Sequence, residues 1–417
     1  MVQQALYDLM MRMYVLGIRL AYPFKEKARL WLQGRKNWAE RLQQVMQDRG
    51  GPVIWIHAAS LGEFEQGRPI IEALRKEFPH AQLVLSFFSP SGYTIRKDYD
   101  KVDLVTYLPL DTKQNAKRFI EILDPTIALF IKYEFWFNHL NELKRNQIPT
   151  ILVSGRLHAK QGFFKPWGGF FKKGLEAFSH FFLQNEESAR LLEEIGFTNY
   201  TVNGDTRFDR VMEMKNEERS LEKIERFCRD LPVIVVGSSW PYDEILMMEY
   251  INSHPERDFK VIFAPHEIDQ KRISEFINKC RSPAIRYSEM EESSGNEKVL
   301  FVDSIGMLSY LYKYATVALI GGGFGAGIHN TLEAAVWSRP ILFGPRYQMF
   351  KEAVDLVENG AAFSVETQKE LNAMLNKLLF EDEELKESAG QQAWRYCAAN
   401  QGASQEVISY VRETLPS

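Results

Sequence analysis

Cysteine is scarce in this chain of 417 residues: three are present, Cys228, Cys280 and Cys397, each remote from the others. They allow neither a disulfide framework nor a CxxC metal site, and a reducing compartment fits them. The eight histidines contain no HExxH and no pair at ligand spacing, so no zinc chemistry and no structural metal are expected. A surplus of positive charge is missing as well. The 51 lysines and arginines stand against 55 aspartates and glutamates, a formal charge of -4, which argues against a protein that coats nucleic acid. Also absent is any uncharged run near the ~20 residues that a membrane-spanning helix needs. The apolar stretch from Ala5 to Tyr22 is interrupted by Asp8, Arg12 and Arg19. No short repeat or low-complexity tract occurs.

What is present is an ordinary globular composition, 45% hydrophobic and 25% charged, on a chain two to three times the length of a ~150-residue domain. Two comparable domains are expected. At the amino terminus, Asp8, Arg12 and Arg19 fall within roughly 40° of one another on a helical wheel, a narrow polar stripe beside a broad apolar surface. Lys25, Lys27, Arg29, Arg35 and Lys36 follow, opposed only by Glu26. A basic flank of this kind draws anionic head groups, so an interfacial helix on an anionic membrane surface is expected. The alternative is a core-packed helix whose Met10, Met11, Met13, Tyr14 and Leu16 plug a groove in the body.

Downstream, short β-rich runs alternate with helical patterns, the mark of parallel α/β sheets. Strands are expected at Val53–His57, Gln82–Phe87, Leu104–Tyr107, Thr126–Ile131, Thr150–Ser154, His180–Gln184 and Tyr200–Asn203. A second cycle follows at Val233–Gly237, Lys260–Ala264, Lys298–Val302, Ala315–Ile320, Pro340–Phe343 and Ala361–Val365. A linker is placed near Asp205–Arg210. From Thr367 onward the text is helical, so the tail is free to pack back on the first domain. Two doubly wound domains would bring the carboxyl ends of two sheets face to face across a cleft, where ligands of such sheets bind.

Chemistry-bearing motifs sit after these strands. In Trp55-Ile56-His57-Ala58-Ala59-Ser60-Leu61-Gly62-Glu63, a buried strand ends at His57 and Glu63 falls in the first turn of a helix. A carboxylate there serves either as a general base or as the third residue of a capping box with Ser60. Glu134 in Lys132-Tyr133-Glu134 also follows a strand and would face Glu63 across the cleft; Ser154-Gly155-Arg156 repeats the pattern. After Ala315–Ile320 comes Gly321-Gly322-Gly323-Phe324-Gly325-Ala326-Gly327-Ile328-His329-Asn330-Thr331-Leu332-Glu333, with a helix opening near Asn330. Its amides suit a phosphate and Glu333 a sugar hydroxyl, the alternative being a loose lid. The glycines come too late in a sheet for a dinucleotide fingerprint, which disfavours NAD. Gly237-Ser238-Ser239-Trp240, Ala264-Pro265-His266-Glu267 and Gly204-Asp205-Thr206-Arg207-Phe208-Asp209 offer donors to an anion or, read singly, turns and caps. Phe163–Lys173 mixes aromatics with lysines, as suits acyl chains beneath phosphates or equally a core helix.

Together, His57-Ala58-Ala59-Ser60-Leu61-Gly62-Glu63, Gly204-Asp205-Thr206-Arg207-Phe208-Asp209 and His329-Asn330-Thr331-Leu332-Glu333 resemble the 3-deoxy-D-manno-octulosonate (Kdo) transferases of lipopolysaccharide assembly, in the same order along nearly the whole chain. The resemblance implies GT-B architecture: a membrane-associating segment at 1–36, a Rossmann-like acceptor domain at 37–207, a donor domain at 208–395 and a closing helix at 396–417. It implies inverting transfer of Kdo from CMP-Kdo to a glucosamine hydroxyl of the lipid A precursor (lipid IVA) on the cytoplasmic face of the inner membrane, with no cofactor. Glu63 would be the base and Glu134 would lie on the acceptor side with Ser60, Gly62 and Arg156. Ser238, Ser239, Pro265, His266, Gly322, Gly323, Phe324, Asn330 and Glu333 would border CMP, with Arg207 near its phosphate. Two departures stand out. Many members carry Ala-Pro-Arg-His where this chain has Ala264-Pro265-His266-Glu267, which replaces a permanent cation by a titratable ring. Many carry Glu-Thr-Glu where this chain has Lys132-Tyr133-Glu134. The alternatives are a GT-B enzyme using a UDP-sugar and a lipid acceptor, or a non-catalytic binding protein of the same architecture.

Overall fold

Strands buried on both faces need apolar residues at every position, and the first sheet is built from such runs. Along β1 (Val53–Ala58) all six residues are buried. Val53 and Trp55 enter one core while Ile54, Ile56 and Ala58 enter the other, as a period of two requires. The computed structural model describes residues 2–47, 50–217, 219–292 and 295–415. Met1, Asp48, Arg49, Glu218, Ser293, Ser294, Pro416 and Ser417, some at the ends of the expected segments 1–36 and 396–417, lie outside the described residues. The chain forms two units, Met1–Arg210 with Gln401–Ser417, and Val211–Asn400.

In the first unit, β1 is followed by β2 (Gln82–Phe87), β3 (Leu104–Tyr107), β4 (Ile127–Ile131), β5 (Thr150–Gly155), β6 (His180–Leu183) and β7 (Tyr200–Val202). Their order is β3-β2-β1-β4-β5-β6-β7 and every pairing is parallel. The second unit holds β8 (Val233–Ser239), β9 (Lys260–Pro265), β10 (Ala284–Arg286), β11 (Val299–Phe301), β12 (Val317–Ile320), β13 (Ile341–Phe343) and β14 (Ala362–Ser364). These lie in the order β10-β11-β9-β8-β12-β13-β14, again all parallel. Strand order reverses between β1 and β4 in one sheet and between β8 and β12 in the other. A crevice opens at the carboxyl ends beside such reversals.

Every strand expected from the sequence forms, with ends shifted by a residue or two. The additional strand, β10, is three residues long and half-exposed at a sheet edge, too short to show a period. The linker expected at Asp205–Arg210 is in fact entered by a helix, Arg207–Asn216, because Asp205 accepts the Arg207 amide at 2.9 Å and starts the first turn. The closing helix Ala403–Thr414 packs on the helix Leu61–Glu77 and places Val407, Ile408 and Val411 in the first unit's core.

The amino-terminal helix, Val2–Ala21, docks by polar groups. Tyr7 donates to Asp111 at 2.5 Å, Gln4 donates to Asn138 at 2.8 Å, and Asn138 donates to Asp8 at 3.0 Å. Its outward face carries Leu6, Leu9, Met10, Met13, Leu16 and Leu20, each 48–68% exposed. Met10, Met13 and Leu16 therefore plug no groove, whereas Tyr14 turns toward Trp31 and Phe88 at 6.0 and 5.9 Å. Among the described residues no helix is long and apolar enough to cross a membrane.

Candidate active site

The helix Leu61–Glu77 begins directly after β1, so its first turn stands at the carboxyl edge of the sheet. Ser60 is its N-cap and Glu63 closes a capping box with it. Glu63 Oε2 accepts from the amides of Ala59 at 2.6 Å and Ser60 at 3.2 Å. The capping reading is thus realised. It uses one carboxylate oxygen only, leaving Oε1 for another partner. Glu63 is 6% exposed. Burial and then the neighbouring Glu134 carboxylate push its pKa well above the usual carboxylate range, against the pull of those amides and Lys132. Burial raises Glu134 too, and the Trp136 indole partly offsets it. Two carboxyl groups so close resist losing both protons near neutrality. Glu134 follows β4 in the same unit as Glu63, and because β4 pairs with β1 the two meet at one switch point.

A relay of rings fixes this floor. The Trp136 indole donates to His57 Nε2 at 2.9 Å, and since an indole nitrogen only donates, the His57 proton resides on Nδ1. Nδ1 then donates to Ser86 Oγ at 2.8 Å, which also accepts from the Trp55 indole at 2.8 Å. Burial, with His139 adding to it, pushes His57 down to about 3. It is therefore neutral, and its 3.9 Å approach to Glu134 Oε2 is a contact, not an ion pair. Lys132 follows β4 with φ 72° and Ser154 ends β5 with φ 54°. These left-handed residues turn the chain at the sheet's edge, a strain of ~1–3 kcal/mol each of the kind that gathers at functional sites. Burial and the charges of Arg207 and Arg156 lower Lys132, while Asp205 and Glu63 work against them. The Arg207 guanidinium binds Asp205 Oδ2 through Nε at 2.9 Å and a terminal nitrogen at 2.8 Å. Gly62 faces open space, where a Cβ would meet nothing within 4 Å. Ser60, Gly62, Glu63, Glu134, Arg156 and Arg207 thus belong to one surface of the first unit.

In the second unit, Ser238 at the end of β8 has φ 50°. The Trp240 ring stacks on His266 at 4.8 Å, and His266 stacks on His329 at 4.4 Å. The Trp240 indole donates to His329 Nε2 at 3.0 Å. Burial and His266 lower His329, and stacked flat rings of this kind suit a planar base. Asp243 Oδ2 accepts from the amides of Trp240 at 2.8 Å and Gly322 at 2.9 Å, tying β8 to the glycine loop. The loop is a packed turn, not a loose lid. A Cβ on Gly321 would lie 2.3 Å from Ser238 O, and one on Gly323 would lie 2.5 Å from Gly344 N. The amides of Gly321, Gly322, Gly325 and Gly327 already donate to protein oxygens, so fewer remain for a phosphate than the glycine count suggests. The helix after Asn330 is a single turn, Leu332–Ala335. Asn330 donates to Glu333 Oε1 at 3.0 Å and Ser309 to Oε2 at 3.0 Å, which fixes the carboxylate. A cavity of about 530 Å³ opens beside Pro265 and His266; Phe324 packs on Tyr242 at 5.6 Å between ring centroids. The ring plate and the Ser86–His57–Trp136 relay are residues that motif reading does not assemble, because their partners come from strands distant in sequence.

The family model described as 3-Deoxy-D-manno-octulosonic-acid transferase (kdotransferase) matches residues 36–210. A 3-deoxy-D-manno-octulosonic acid transferase of Rickettsia felis is 28% identical over 374 residues, covering 87% of this chain and 79% of its own. That of Rickettsia typhi is 26% identical over 425 residues, covering 99% and 90%. The solved structure of a UDP-GlcNAc 2-epimerase from Neisseria meningitidis bound to UDP-GlcNAc matches with a TM-score of 0.61 at 14% identity, over 87% of this chain and 100% of that one. That likeness is one of fold. Two Rossmann-like units with polar groups gathered at both switch points, in a chain with these relatives, define a glycosyltransferase of GT-B architecture. Residues 36–210 thus resemble the Kdo transferase family model, and the relatives carry that similarity along most of the chain.

Proposed function

We propose that this chain transfers Kdo from CMP-Kdo to a glucosamine hydroxyl of a lipid A precursor such as lipid IVA, with inversion at the anomeric carbon. The observation that carries the reading is Glu63, whose Oε2 is anchored by two backbone amides. Oε1 takes the acceptor proton as the acceptor oxygen bonds to the anomeric carbon. The bond from that carbon to the phosphate oxygen breaks, and CMP leaves with the electron pair. A base is most effective when its acidity lies near the working pH, and burial beside Glu134 brings Glu63 toward that range. Lys132, Arg156 and Arg207 supply positive potential for anionic substrates, and Ser60, Gly62 and Glu134 border the acceptor. In the second unit, the Trp240–His266–His329 plate receives the cytosine ring. Ser238, Ser239, Pro265, Gly322, Gly323, Phe324, Asn330 and Glu333 surround the rest of CMP. Because the leaving group is a monophosphate, this reading assigns no cofactor.

The same reading attaches the protein peripherally to the cytoplasmic leaflet. In support, the Val2–Ala21 helix turns Gln4, Tyr7 and Asp8 inward and its leucines and methionines outward, the reverse of a water-facing helix. The test is turnover of CMP-Kdo on a tetraacylated acceptor by wild type and Glu63→Gln. The variant is expected to lose about 10²-fold or more in the chemical step with CMP affinity unchanged. Near-normal turnover would leave Glu63 as a helix cap alone.

A further inference from the structure

Resting on that reading of the acceptor as an anionic lipid, we propose that one of its acyl chains is held in a dedicated groove of the first unit, separate from the outward face of the amino-terminal helix. The groove has a volume of 510 Å³ and is walled by Tyr14, Gly17 and Ile18 of the helix Val2–Ala21, by Trp31 of the helix Glu26–Gly34, and by Phe88 after β2. Its lining is mainly apolar, as a methylene chain requires. Lys25 and Lys27 also line it, and their ammonium groups complement a phosphate or carboxylate at the head of such a chain.

Continuity with the reacting end selects the acceptor as occupant over a bulk lipid. The Tyr14 ring lies 5.9 Å from Phe88, and Phe88 lies 4.2 Å from Trp136. Trp136 donates to His57 Nε2, the same atom that lies 3.9 Å from the Glu134 carboxylate. One apolar wall thus leads from the groove to the carboxylate pair. Arg35 clamps that wall, stacking on Trp31 at 3.8 Å and donating to the carbonyls of Phe88 at 2.7 Å and Leu108 at 2.9 Å. Small residues keep the groove open: a Cβ on Gly17 would meet nothing within 4 Å. A side chain added there enters the groove without striking the backbone, and leucine favours helix more than glycine does.

The experiment measures, by calorimetry, the Kd of a homologous series of n-alkyl phosphates below their micelle concentrations, with turnover on a deacylated acceptor in parallel. For wild type, affinity is expected to rise about fourfold per methylene until the groove is full, then level off. Gly17→Leu, with Ala21→Leu as a second filling variant, is expected to level off at a shorter chain while keeping normal turnover on the deacylated acceptor. Lys25→Glu with Lys27→Glu should weaken every member by the same factor. The outward-face variant Met13→Glu should leave the series unchanged. An identical series in wild type and both filling variants overturns the groove. So does a series abolished by Met13→Glu, which would place the chain on the membrane-facing surface. If the alkyl series behaves as expected but no acceptor receives Kdo, the reading of the reaction fails and the groove stands.

Discussion

At the scale of single residues, two carboxylic acids stand together at one sheet edge, and the proposed reaction turns on them. Burial raises the pKa of both Glu63 and Glu134, and the Glu134 charge raises Glu63 further, so the pair retains a proton at pH values where isolated carboxylates are ionised. A base works deprotonated, and activity should therefore rise with pH through this elevated range. Glu134→Gln removes the charge that raises Glu63, so Glu63 then ionises at lower pH and the acid limb of the kcat/KM profile moves toward acid. A pH profile of the variant checks this; an unmoved limb would mean that burial alone sets Glu63. The capping contacts occupy Oε2 of Glu63 and leave Oε1 for the proposed role as base. The cap was legible from the Ser60 to Glu63 spacing and Glu134 from its place after a strand, but the β1–β4 pairing that sets the two carboxylates side by side was not.

Among the elements, the Val2–Ala21 helix is the most unusual. Its anchor is a buried network in which Asp111 accepts from Tyr7 at 2.5 Å and from the His139 amide at 2.9 Å, with His139 Nδ1 at 2.6 Å from the same carboxylate. Polar anchoring frees the helix from using its leucines for packing. Replacing Met13 and Leu16, 59% and 48% exposed, by Glu should detach the protein from anionic vesicles while activity on a dispersed short-chain acceptor persists. Vesicle flotation reads this, and undiminished binding would point to another surface. Trp167, 60% exposed, is the next place to look, since its carbonyl accepts from Gln3 at 2.8 Å beside the same helix. The other aromatics of Phe163–Lys173 pack inward, with Phe163 5.2 Å from Phe135 and Phe171 5.1 Å from Phe137.

On the scale of the whole molecule, the first unit is completed by a segment from the far end of the chain. Val407 and Val411 are fully buried and Ile408 is 7% exposed, and side chains of this kind contribute ~1.5–3 kcal/mol each. Asp209 accepts the Gly402 amide at 2.5 Å and the Ser404 amide at 2.7 Å, which fixes where the helix begins. Deleting residues 401–417 should lower the melting transition of the first unit and leave that of the second nearly unchanged. Hydrogen exchange resolved by segment distinguishes the two, and equal loss of protection in both units would contradict this division of stability.

Sequence alone determined the secondary structure and the parallel class of both sheets, since strands buried on two faces and helices with a 3.6-residue period write their burial directly into residue order. It also determined which motifs stand at strand ends, so Glu63, Glu134, Ser238, His266 and the glycine turn were all found. Tertiary structure decided what those residues do to one another. Strand order brought Glu134 beside Glu63, placed Arg207 with Lys132 and Arg156, and stacked Trp240, His266 and His329 into one plate. Close packing turned a glycine-rich run into a tight turn whose amides are largely satisfied internally. These outcomes depend on contacts between segments tens of residues apart, and no local period or spacing carries that information.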